Sequence, residues 1–352
     1  MKNRDSIKKC LDNIVSVLLK QSYQVSNIGI AEGKMGMILF LLFYAKYSQN
    51  QNMKAQGEEL LEALCEEINE KTPVNYLDGL LGFGTAVEYL VGHRIIDIDT
   101  NELLEELDLL LESWRPYYSK MHTYQIVGCG KYLSMRLHYS LNMAEPTVSL
   151  AGRTCLEKMV NNVNPPRHYG ELISLVDVMA ELSALNIVNA ETAKNHVKNF
   201  LNQIEAIVSA NIKQENCLIT LKPLEVCAML VGACSHSKIN CLEMVKSFLD
   251  VYEPGFRKFL SLDIDGLSSG GFKWSVLYHY LGKSLNNDNY LQLSEQWLTY
   301  SLQKYEDIIV GVYQDRTSLK DWNGYSQIGL ALLYLMGACL EDIFDVLPLY
   351  LL

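Results

Sequence analysis

Two kinds of segment alternate along this chain. In the first kind, Ile7, Leu11, Ile14, Val15 and Leu18 recur at helical spacing behind Asp5 and Ser6, two good N-cap residues, and predict an amphipathic helix over 5–20. The second kind is apolar nearly all round: the MILFLLFYA run within 36–48 has no polar face, so its helix belongs in the interior. Amphipathic segments return near 53–70, 100–113, 147–160, 190–209, 238–250 and 288–304. Apolar ones return near 80–92, 126–140, 169–185, 221–233, 270–282 and 324–337.

Counted with the first pair, this makes seven outer and seven inner helices repeating about every 50 residues, a period typical of helical hairpin arrays. The pattern predicts an all-α fold in a single domain, 1–352, of about seven helical hairpins. Closed on themselves, such hairpins make an α/α toroid; left open, a solenoid. Glycines gather where the inner helices begin, at Gly33 and Gly36, Gly79, Gly82 and Gly84, Gly266, Gly270 and Gly271, and Gly324 and Gly329. A turn explains any one of them. Their recurrence favours a crowded inner ring, where a missing Cβ lets backbones approach closely.

Composition narrows the function classes. The chain is 49% hydrophobic and 20% charged, as expected of a protein with a large core. Its net charge is −11 and its 30 Lys and Arg are scattered, which argues against a nucleic-acid surface and suits a cationic partner. Asp12 and Asn13 interrupt the first apolar stretch, so no secretory core is expected, and the 35–45 run is too short to span a bilayer. A soluble cytoplasmic protein is expected. Nine cysteines without a CxxC pair read as free thiols in a reducing compartment.

Candidate chemistry is sparse. Cys234 and His236 form a CxH pair close to Cys227 and Cys217, a possible metal set; the seven-residue spacing of Cys227 and Cys234 on an apolar helix is equally that of core thiols. His168 reads as a loop residue. Asp263, Asp265 and Asp321 precede late inner helices, where carboxylates serve either as acid and base or as turn caps. GLLGFG and GLSSGG lack the Lys-Ser/Thr ending of a phosphate loop. Glu32, Asp78, Asp265, Trp274, Asp321, Trp322 and Tyr325 all sit at inner-helix corners and together would form a negative, aromatic rim for a peptide. Trp274 there is equally placed to be a core aromatic.

Several corners carry a family likeness. GIAEGKMGMILFLLFYAKYSQN, GLLGFGTAVEYLV, IVGCGKYLSMRL, GLSSGGFKWSVLYHYLG and GYSQIGLALLYLMG each resemble the GxxGxxG repeat of the lanthionine synthetase C-like (LanC-like) proteins, found in bacterial peptide-maturation systems. The resemblance implies a toroid with seven inner helices. In active members it also implies one zinc, held by a Cys and a Cys-His pair, that activates a peptide thiol for addition to a dehydrated Ser or Thr. Here residues 265–271 read DGLSSGG, and the corner near 221–224 has no Gly-Trp-Cys, so no cofactor is expected. The expected role is a non-catalytic peptide-binding or scaffolding partner of a modifying enzyme in lanthipeptide-type maturation. The alternatives are a thioether-forming cyclase with displaced ligands and a carbohydrate- or isoprenoid-processing toroid enzyme.

Overall fold

The computed structural model describes residues 3–22, 25–30, 33–114, 116–117, 121, 123–139, 191, 195, 198–199, 201–202, 221–236, 242–260, 271–312 and 323–338. Within them the chain is helical, with no strand. In order the helices are α1 (Arg4–Gln21), α2 (Lys34–Ser48), α3 (Gln51–Glu67), α4 (Leu80–Gly92), α5 (Thr100–Leu103) and α6 (Glu105–Trp114). There follow α7 (Thr123–Tyr139), α8 (Leu221–His236), α9 (Leu242–Leu260), α10 (Gly271–Ser284), α11 (Asp288–Val312) and α12 (Asn323–Leu335). The segments expected at 147–160 and 169–185 lie outside the described residues.

Two compact units are present, one of Met1–Leu111, Gly270–Val276 and Ser294–Leu352, the other of Glu112–Ser269 and Leu277–Leu293. In the first, α2 is the centre: every residue from Met35 to Ala45 is buried, and α3, α4 and α12 pack against it. That is the outcome its unbroken apolar run dictates, because a helix with no wet face must be covered on all sides. Helix α1 closes over α12 with Ile7, Leu11, Ile14 and Leu18 inward. In the second unit α8 packs on α9, whose Val245, Phe248 and Leu249 face inward while Glu243, Lys246 and Asp250 stay exposed.

Local differences from the expected segments have local causes. Asp5 and Ser6 do not cap α1: the helix begins earlier, with the Ile7 amide bonded to the Asn3 carbonyl, and Asp5 sits in the first turn, where its charge suits the helix dipole. The 100–113 segment is two helices, α5 and α6, separated at buried Leu104. Helix α9 runs to Leu260 rather than stopping near 250, since Phe256, Phe259 and Leu260 keep the helical spacing beyond Pro254.

Four of the apolar helices end alike. At the C-terminal ends of α2, α4, α10 and α12, Gln49, Arg94, Asn286 and Gly337 take left-handed φ values of 54°, 55°, 52° and 68°. Each is followed by a residue whose amide reaches back five positions: Asn50 to Ala45, Ile95 to Leu90, Asn287 to Gly282 and Ala338 to Leu333, all at 2.8–3.0 Å. This paired closure satisfies carbonyls that the helix end leaves without partners. Asn50 and Asn287 then cap the next helix, accepting from the Met53 and Tyr290 amides.

The N-terminal corners of α2 and α4 repeat in more detail. The Lys34 amide bonds to the Asn27 carbonyl at 2.8 Å, and the Leu80 amide to the Pro73 carbonyl at 2.9 Å. A Cβ on Gly33 would strike the Asn27 carbonyl and one on Gly79 the Pro73 carbonyl; a Cβ on Gly36 would strike the Ile30 carbonyl and one on Gly82 that of Tyr76. The paired positions (27 and 73, 30 and 76, 33 and 79, 36 and 82) differ by 46 throughout, so these two corners are one motif used twice.

Candidate functional site

The two corners lie edge to edge. A Cβ on Gly29 would overlap the Leu77 carbonyl and the Asp78 backbone, and the Asn27 side-chain amide donates to the Asp78 carboxylate at 3.0 Å. The corner before α2 is thus fastened to the corner before α4 by backbone packing and one side-chain bond. The same Asn27 side chain accepts from the Gly29 amide at 2.7 Å, and Asn75 accepts from the Asp78 amide at 2.6 Å. Glycine is obligatory where one loop's backbone rests on the next.

Beside this seam lies an open groove of about 510 Å³, walled by Ser26–Ile28, by Glu67, Asn69 and Lys71–Pro73 of the turn after α3, and by Asp78. That volume is within the range of small-ligand clefts. The turn is held from within: Asn69 accepts from the Lys71 amide at 3.0 Å and donates to the Glu67 carbonyl at 2.9 Å, while the Thr72 hydroxyl accepts from the Asn69 amide at 3.0 Å. Lys34, at the start of α2, pairs with both oxygens of Glu67 at the end of α3. Asp78 and Lys71 are exposed.

Of the seven expected rim residues, three are described. Asp78 stands at the corner, exposed, and its carboxylate braces Asn27 instead of capping α4, whose first residues follow Gly79 with no side-chain cap. Trp274 is 5% exposed and stacks on Trp297 with ring centroids 6.1 Å apart; of its two readings, burial favours the core aromatic. Tyr325 is half-buried with its ring edge-on to Tyr305, which also meets Phe272. Glu32, Asp265, Asp321 and Trp322 lie outside the described residues, as do Asp263 and His168.

The glycines are accounted for similarly. Gly271 has Ser301 where a Cβ would be, Gly329 has the Phe40 ring, Gly84 is buried in α4, and Gly324 lies in the first turn of α12. Gly266 and Gly270 are outside the description. For the metal alternative, Cys227, Cys234 and His236 all belong to α8. Cys227 is fully buried and burial pushes its thiol up, away from the thiolate that zinc requires. Among the described residues no three His, Cys, Asp or Glu groups gather as a metal site.

Sequence reasoning missed the other groove residues, Asn27, Glu67 and Lys71, because they come from separate loops. It also passed over Glu88, Lys131, Arg136 and Glu225, which are buried in α4, α7 and α8. Their signal was available: each is a charge set between apolar neighbours in its helix, and charges are buried only with compensation.

No family model matches the chain, and no curated protein matches it. No described helix is long and apolar enough to cross a membrane.

Proposed function

We propose that this is a LanC-like toroid of about seven helical hairpins that handles a ribosomally made peptide in the cytoplasm, docking it at the inner-helix corners for a separate modifying enzyme. The observation that carries this reading is the seam between the first two corners. There the same glycine motif is used twice, the loops are locked together through Asn27 and Asp78, and an open groove lies beside them. A rigid, prepaid surface loses little entropy on binding, which is what a docking platform for a flexible peptide needs. The family likeness of the corner sequences supplies the peptide, and their lack of a Cys and Cys-His set supplies the non-catalytic role.

Hydrogen exchange measured with and without excess synthetic precursor-type peptide tests the docking. Slower exchange is expected in 26–30 and 67–78. Protection confined to other segments, or none at any peptide concentration, would refute this site.

A further inference from the structure

We infer that the groove beside the corner seam selects a peptide segment carrying both charges, a basic side chain for Asp78 and an acidic one for Lys71, and not a purely basic one. This rests on the peptide-docking reading and sharpens it. The negative net charge of the chain suggests a cationic partner, yet the described residues that line the groove carry no excess of negative charge once the Lys34 and Glu67 pair is counted. Of the two carboxylates among those described residues, Glu67 is already neutralised by Lys34, which pairs with both its oxygens. Among the described residues, Asp78 and Lys71 make no ion pair.

The polar groups left for a ligand are few. Asn27, Asn69 and Asn75 are engaged in holding the loops, each through the bonds given above. Among the described residues that line the groove, those left for a ligand are Lys71, Asp78, which gives one oxygen to Asn27, and the hydroxyl residues Thr72 and Ser26. One cation and one anion on a locked frame attract a dipolar segment. A segment with basic residues only meets Asp78 favourably and Lys71 unfavourably.

The probes are eight-residue peptides with capped termini and a neutral BODIPY label, otherwise uncharged, with one Arg and one Glu at every spacing, together with Arg-only and Glu-only controls, followed by fluorescence anisotropy at low salt. The best dipolar peptide is expected to bind about threefold to fivefold tighter than either control, the scale of one exposed ion pair. Lys71→Gln should abolish the preference for Glu alone. Asp78→Asn, which keeps an acceptor for Asn27, should abolish the preference for Arg alone. Thermal midpoints of both variants confirm that the folded protein is compared. Tightest binding by the Arg-only peptide, strengthened by Lys71→Gln, would overturn the dipolar inference while leaving the docking site standing. Affinities that neither substitution alters would remove the groove as the site of recognition, and no binding by any peptide would sink the docking reading too.

Discussion

Tyr44 shows how far one side chain's chemistry depends on its neighbours. Its phenol donates to Asp12 across the α1 and α2 contact, and burial, then that bond and the Asp12 charge, raise it above its ordinary 10.0. An unfolded chain gives up this proton near pH 10, whereas the folded one keeps it to higher pH. The stabilisation is therefore whole below pH 10 and is lost as pH rises toward the folded value. Tyr44→Phe should cost about 1 kcal/mol at neutral pH, and urea titrations should show the gap from the parent protein closing above pH 10. A gap independent of pH would mean the bond to Asp12 is not linked to folding. No sequence pattern announces such a pair, because its partners are 32 positions apart and only α1 packing brings them together. Glu88, Lys131, Arg136 and Glu225 differ in this respect, being visible in advance as charges inside apolar runs.

Helices α2 and α4 are defined by their two ends, and the ends obey opposite rules. At the start of α4, a Cβ on Gly82 meets the Tyr76 carbonyl, backbone that cannot step aside, so Gly82→Ala should destabilise by about 1–3 kcal/mol, with Gly36→Ala matching it. At the end of the same helix, exposed Arg94 holds a left-handed conformation that glycine adopts without steric cost. Arg94→Gly should therefore be neutral or stabilising by up to about 1 kcal/mol. Urea midpoints check both; a benign Gly82→Ala would disprove the crowding argument. Helix existence and the glycine starts were legible, since periodicity and recurrence are local properties of the chain. The left-handed ends were hidden: only Gly337 of the four is a glycine, while Gln49, Arg94 and Asn286 reach the same conformation because the closing amide bonds demand it.

For the whole molecule, function turns on whether metal chemistry survives. Asp78 was legible as a corner carboxylate, but the groove it borders was not, because its walls come from the approach to α2, the end of α3 and the turn after it. The metal question has the same character, since ligands far apart in sequence could still converge. Zinc needs deprotonated sulfur, and the Cys227 thiol, fully buried, is pushed the opposite way. Cys234 follows it by seven residues, two helical turns along α8, and a tetrahedral site would need further ligands from other segments. Elemental analysis of the purified protein should accordingly find far less than one zinc per chain. Stoichiometric zinc, lost on Cys234→Ala or His236→Ala, would restore the displaced-ligand cyclase and overturn the scaffolding role. If zinc stays substoichiometric and those substitutions leave peptide protection at 26–30 and 67–78 unchanged, docking and metal chemistry are separate properties, and the corner seam alone carries recognition.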